Sequence, residues 1–318
     1  MNIINENSVD VNRSDEKFEK WTEKKRKNLV IADKMQDAGF FKRCLRMRDC
    51  GTFLNYKICP DCGKSFISSA NLCRDKLCPT CAWRLSLKRF AEMCSTMSYL
   101  DEMDLGCAGF LTLTVKNCKP ENLRYTVKKM NEDWNRMLAS RKMKDVMSGW
   151  AKSLEITYNK KTNTFHPHFH VIVLFEDFLG AGAPQRLFRN AWSKACRLPY
   201  EPITDFRTID RSKEGIGTDN DKIFGAILET FKYSVKDKDI EDMPLQTFRD
   251  FVVGIQGLRF VSFGGIIKKA RQNLGLKEDE NDENDIEINR DKCTCGAELL
   301  KVICQWSFTE QQYNKINI

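Results

Sequence analysis

Residues 150–175 constrain the fold of this chain more than any other stretch. WAKSLEITYN and FHPHFHVIVLF read as two strands around the turn-like NKKTNT, so they predict a long β-hairpin. In the second strand His168, His170, Ile172 and Leu174 share one face, and Phe169, Val171 and Val173 share the other. Beyond the histidines both faces are apolar. Such a strand belongs in the middle of a sheet, buried except at one end. A hairpin turning between Lys161 and Thr162 sets Glu155 opposite His168.

The three histidines of the chain all fall here, at 166, 168 and 170. Two imidazoles on one strand face are too few to hold a metal, and Glu155, flanked by Leu154 and Ile156, supplies a third donor. His168, His170 and Glu155 with open positions suit Mg²⁺ or Mn²⁺ that also binds a phosphate oxygen. The plainer alternative is a histidine cluster at a strand end, with Glu155 serving only as a hydrogen-bond partner. A pair of histidines with a facing acid favours the metal.

The surrounding pattern is α+β. GFLTLTVKN at 109–117 is another strand, and Pro120 opens a helix with Leu123, Val127, Met130, Trp134 and Met137 on one face. Further helices are expected at 185–196, 221–236 and 244–255, with a strand at 258–263. The expected fold is a mainly antiparallel central sheet flanked by helices. On a helix over 221–236, Phe224, Ile227, Leu228, Phe231 and Val235 form an apolar stripe. Glu229, Tyr233 and Lys236 lie on the opposite side. A tyrosine is a poor nucleophile until a nearby cation favours its phenolate, so this trio has both a functional and a merely exposed reading.

The chain has 52 Lys and Arg against 44 Asp and Glu, a net charge of +8. Its acidic run KEDENDENDIEINRD at 277–291 holds eight acids and two bases, so without it the surplus is +14. A surplus of that size fits a polyanionic partner such as nucleic acid. No segment reaches the ~18 apolar residues of a membrane span, and the polar N-terminus has no apolar signal core. Both point to a cytoplasmic protein, in which the 14 cysteines are thiols and metal ligands rather than disulfides. Cys59, Cys62, Cys78 and Cys81 form a C-x₂-C-x₁₅-C-x₂-C pattern, a strong signal for structural Zn²⁺. Cys50 and Cys73 are surplus to it.

GFLTLTVKN, HPHFHVIVLF and ETFKYSVKD, in that order, resemble the motifs of the rolling-circle replication initiators (Rep proteins) of small plasmids from Gram-positive bacteria, part of the HUH endonucleases. RMRDCGTFLNY, LCRDKLCPTCAWRLSLK and FVSFGG extend the resemblance over about residues 20–310. It implies a fold like that of those endonucleases and nicking of single-stranded or cruciform origin DNA. On that pattern His168 and His170 hold the metal that polarises the scissile phosphate. Tyr233 attacks and keeps the 5′ phosphate, and the freed 3′ hydroxyl primes a host polymerase, with a host helicase as further partner. Lys236 supports the phenolate or phosphate, and Glu229 activates water for termination. Proteins that resemble this chain often use a pattern like Cys50, Cys73, Cys78 and Cys81. Cys59 and Cys62 are then free for a second site, closed by Cys293 and Cys295 of KCTCGAE. Cys78 and Cys81 belong to both arrangements.

The resulting division is an unstructured 1–15, a basic zinc-bearing DNA-binding segment at 16–100, a catalytic domain at 101–276, an acidic linker at 277–291 and a cysteine-bearing tail at 292–318. The competing functions are a conjugative relaxase or single-strand transposase of the same chemistry, and a non-catalytic zinc-dependent DNA-binding regulator. The last would bind an origin without cutting it.

Overall fold

The computed structural model describes residues 11–103, 107–175, 183–209, 219–232, 235–276 and 291–316. In chain order the elements are α1 (Val11–Asp37), α2 (Phe41–Asp49), β1 (Phe53–Ile58), β2 (Ser65–Ala70), α3 (Pro79–Asp101) and β3 (Cys107–Thr114). A 3₁₀ turn at Pro120–Asn122 leads into α4 (Leu123–Ala139), then α5 (Arg141–Val146), β4 (Met147–Asn159), β5 (Thr164–Phe175), α6 (Ala183–Cys196) and β6 (Thr204–Ile209). The remainder is α7 (Asp219–Phe231), α8 (Asp237–Asp242), α9 (Leu245–Gly254), β7 (Val261–Gly264), α10 (Gly265–Asn273), β8 (Leu300–Ser307) and β9 (Gln312–Ile316). None of these helices is long and apolar enough to cross a membrane.

The chain divides into two compact units, residues 86–280 and residues 1–85 together with 281–318. This differs from the linear division read from the sequence, because the C-terminal segment joins the N-terminal one. α1 begins at Val11, inside the stretch expected to lack structure, and most of the acidic run, 277–290, lies outside the described residues.

Within the larger unit, five antiparallel strands lie in the order β6-β3-β5-β4-β7, so β5 is central as its two apolar faces require. On the histidine face, Ile172 and Leu174 pack with Met93, Met97 and Leu100 of α3, Ile227 and Phe231 of α7 and Ile267 of α10. On the other face Phe169 meets the edges of Trp134 from α4 and Trp192 from α6. All five apolar residues expected along α4 are buried. The sheet is therefore covered on both sides, and the fold is α+β as its sequence indicates. At the junction of β7 and α10, Gly265 has φ +58°, and a Cβ there would stand 2.1 Å from the Ser148 carbonyl oxygen. Only glycine fits that turn.

One buried lysine stands on the far face of the sheet. Lys152 of β4 donates to Asn131 Oδ1 at 2.6 Å and lies 4.0 Å over the Phe169 ring. Burial pushes its pKa down to about 7.

The smaller unit carries a four-stranded sheet in the order β2-β1-β8-β9. β8 runs antiparallel to β1, from Phe53 opposite Gln305 to Ile58 opposite Leu300. Its core is Trp21 of α1 with Leu54, Tyr56 and Cys304 of the sheet. Lys25 of α1 is fully buried and donates to the carbonyls of Arg48 and Cys50, both at 2.6 Å. A cation thereby satisfies acceptors that the end of α2 leaves open.

Candidate metal centre

The hairpin of β4 and β5 places Glu155 opposite His168, in the register expected from the position of its turn. Because directly opposite residues share a face, Glu155, His168 and His170 come together at the end of the sheet where β5 is least covered. Glu155 Oε2 lies 3.1 Å from His168 Nε2 and 2.8 Å from His170 Nε2. His168 Nδ1 is 3.3 Å from the His166 carbonyl, and His170 Nδ1 is 3.3 Å from Thr112 Oγ1. In the tautomers that direct the Nδ1 protons to those oxygens, both Nε2 lone pairs would be free for a metal; in the other tautomers the Nε2–H groups donate to Glu155 Oε2.

The spacing matches a coordination edge. For ligands about 2.1 Å from a metal and at right angles, adjacent donors stand about 3.0 Å apart. Glu155 and His170 are 4% and 6% exposed, so the donors sit on a rigid, nearly dry floor. Burial by itself would raise the Glu155 carboxyl. The hydrogen bonds with His168 and His170, with Lys232 nearby, hold it well below the usual carboxylate range. It is therefore a carboxylate, ready to take a cation. Phe110 stacks on the His170 ring at 5.4 Å between centroids, fixing its plane.

α7 brings the next groups. Glu229 Oε1 is 3.8 Å from His170 Nε2. Lys232 Nζ is 3.3 Å from Glu155 Oε2 and also bonds Glu229 Oε1. Lys232 was missed by the sequence reading, although its i,i+3 spacing from Glu229 was a usable signal. A single helix over 221–236 would set Lys236 rather than Lys232 beside Glu229 and Tyr233. α7 in fact ends at Phe231, and Lys236 is an exposed, extended residue at the N-terminus of α8. Asp237 and Asp239 in the first turn of α8 favour a new helix start there. The apolar stripe is likewise corrected. Ile227 and Phe231 are buried, whereas Leu228 is 59% exposed, and Val235 is buried from outside the helix. Tyr233 lies outside the described residues, as does the Phe224 side chain.

The smaller unit gathers thiols at the two ends of the β1–β2 hairpin. Cys50, before β1, and Cys73, after β2, meet Cys78 and Cys81 near the start of α3. Sulfur separations are 3.5 Å for Cys50–Cys81, 3.6 Å for Cys50–Cys78 and 3.7 Å for Cys73–Cys81. Cys59 and Cys62, in the hairpin turn, meet Cys293 and Cys295. There Cys59–Cys295 is 3.4 Å, Cys62–Cys293 3.5 Å and Cys62–Cys295 3.7 Å. Four thiolates about 2.3 Å from one zinc ion lie about 3.8 Å apart, and a disulfide would require about 2.0 Å. Both groups could hold a metal. The C-x₂-C-x₁₅-C-x₂-C reading is thus corrected, because the length of the hairpin keeps Cys59 and Cys62 away from Cys78 and Cys81.

The two clusters differ in their surroundings. The first is buried throughout, and backbone N–H groups of Cys73 and Arg74 point at the sulfurs of Cys50 and Cys81 at 3.4 and 3.2 Å. Hydrogen bonds from the other three thiols lower the Cys50 pKa. In the second, Cys62 and Cys295 are exposed. The N–H of Cys295 is the main cause that brings Cys293 down to about 6.

The donor sets of the two units, one of a carboxylate with two imidazoles and two of four thiols, lie in a chain whose sequence matches one class, the replication proteins. The family profile of that description matches residues 64–314, a span that includes the whole Glu155–His168–His170 centre. The chain is 31% identical to Protein rep of Lentilactobacillus hilgardii over 316 residues, covering 96% of this chain and 97% of that protein. It is 29% identical to Protein rep of Streptococcus pneumoniae serotype 2 over 300 residues, covering 92% and 91%. Protein rep of Bacillus amyloliquefaciens is 31% identical over 313 residues, covering 90% and 91%. The chain belongs to the Rep replication protein family. No solved structure matches it.

Proposed function

We propose that this protein initiates rolling-circle replication of a plasmid by nicking single-stranded origin DNA with Tyr233. The observation that carries the reading is the convergence of Glu155, His168, His170, Glu229 and Lys232, the last of which directly precedes Tyr233. Glu155, His168 and His170 would hold Mg²⁺ or Mn²⁺, which supplies polarisation of the scissile phosphate. The Tyr233 oxygen attacks phosphorus, the bond from phosphorus to the 3′ oxygen breaks, and the 3′ oxygen takes up a proton in place of the one the phenol lost. The 5′ phosphate stays on the tyrosine, and the 3′ hydroxyl is a primer for a host polymerase working with a host helicase. Lys236, three residues beyond the tyrosine, contributes positive charge toward the phosphate. For termination Glu229 takes the proton from a water that attacks phosphorus at the regenerated site; the bond from phosphorus to the 3′ oxygen breaks, and that oxygen takes up a proton to leave a 3′ hydroxyl and a 5′ phosphate. The basic cysteine-bearing segment supplies affinity for the origin, with structural zinc in each set of four thiols.

The test incubates the full chain with supercoiled origin plasmid and Mg²⁺ or Mn²⁺. Nicked circles carrying covalent protein are expected, and Tyr233→Phe should abolish both nick and adduct. An adduct mapping to another residue would sink the tyrosine assignment. Origin binding with no nicking in either metal would favour a regulator.

A further inference from the structure

Lys232 touches two carboxylates with different jobs. Its ammonium lies 3.3 Å from Glu155 Oε2, the same oxygen that faces both histidine Nε2 atoms, and it also bonds Glu229 Oε1. Glu155 and Glu229 both approach His170 Nε2, at 2.8 and 3.8 Å. Two carboxylates converging on one imidazole repel each other, and a single cation between them relieves the repulsion. A divalent ion on Glu155 must share that oxygen with the ammonium, and at such range the two positive charges oppose one another strongly.

We infer that Lys232 is a positioning residue that couples metal binding to DNA binding, an inference that rests on the metal-dependent nicking proposed above. When a divalent ion takes Glu155 Oε2, Lys232 keeps its bond to Glu229, which holds that carboxylate beside His170. The donors it withdraws from Glu155 then face the scissile phosphate, one residue from Tyr233. An ammonium near the ion weakens metal binding in the absence of DNA, and a phosphate that takes up the ammonium removes the penalty. Metal and DNA therefore strengthen each other's binding by the same factor.

The experiment measures Mn²⁺ affinity by calorimetry on the full chain, with and without a single-stranded origin oligonucleotide. A Tyr233→Phe background prevents cleavage. With Lys232 intact the oligonucleotide should tighten Mn²⁺ binding by roughly tenfold. Lys232→Met should bind Mn²⁺ alone about tenfold more tightly and lose most of the response to DNA. Lys232→Arg should behave like the lysine protein, which separates charge from packing, and matched thermal melts check that each variant is folded. Unchanged or weaker Mn²⁺ binding by a folded Lys232→Met overturns the inference while leaving the nicking reading intact. If the lysine protein binds no Mn²⁺, the metal reading fails first and the coupling with it. Cleavage by the Tyr233→Phe protein would count against the nucleophile alone, because the affinity comparison does not depend on it.

Discussion

The centre on the large sheet and the two thiol clusters of the smaller unit are groups that could hold a cation, and they would do so in opposite ways. Each cluster offers four sulfurs at mutual distances that close a tetrahedron, so a bound ion has no position left for a substrate. The sheet offers one carboxylate oxygen and two imidazole nitrogens from two adjacent strands, with no fourth donor in the group among the described residues. A saturated set of ligands suits stability, and an incomplete set on a rigid floor suits chemistry. The routes of assembly differ as well. Local chain turns bring Cys78 and Cys81 together, whereas Glu155 meets His168 only because a long hairpin holds its register.

That contrast can be broken most severely at the buried cluster. Replacing Cys78 and Cys81 by serine together should remove one zinc equivalent and unfold the smaller unit, since structural zinc supplies folding energy directly. The central sheet should keep its own melting transition. Cys59→Ser with Cys62→Ser should also remove one equivalent, but with a smaller loss of stability because Cys62 and Cys295 are already exposed. Zinc counting alongside calorimetry distinguishes the two. A double variant that keeps all its zinc would show that its cysteines are not ligands.

A milder change separates the open centre from the closed ones. Glu155→Gln keeps the size of the side chain and removes its charge, so half-maximal nicking should need about 10–100 times more Mn²⁺. Zinc content should stay the same. Equal Mn²⁺ requirements in the two proteins would remove Glu155 from the ligand set.

The smallest effect concerns the opposite face of the sheet. Lys152 has a native pKa near 7 against an ordinary 10.5, so between those values the unfolded chain holds the proton and the native one has released it. Stability from this residue therefore rises with pH from about 7 toward 10. Lys152→Met should be the more stable protein at neutral pH and should lose that rise, a difference of about 2 kcal/mol between pH 7 and 9. Urea unfolding at the two pH values checks it, and parallel slopes for both proteins would contradict the shift.

What the sequence made legible follows from how far each signal reaches. The two-residue period of a strand and the position of one turn were enough for the register of Glu155 with His168, and unbroken apolarity marked β5 as central. Helix faces such as that of α4 were equally readable. The end of α7 was not, because residues 232–236 continue a helical spacing that the acidic start of α8 interrupts. Lys236 was therefore placed on a face it does not occupy, and Lys232 was passed over. The spacing from Cys59 to Cys81 misled for a related reason, since it takes no account of the strands between the two pairs. The pairing of β8 with β1 joins residues more than two hundred positions apart, and nothing local announces it.

That last pairing sets an order of events during synthesis. β1 leaves the ribosome early, yet its neighbour β8 and the thiols of Cys293 and Cys295 are made only after the whole central sheet has been translated. At about 5–20 residues per second, β1 waits at least ten seconds or so for its partner. A chain released short of residue 300 could hold a complete Glu155–His168–His170 centre while lacking half of the four-stranded sheet. The smaller unit thus becomes whole only once residues 291–316 have been made.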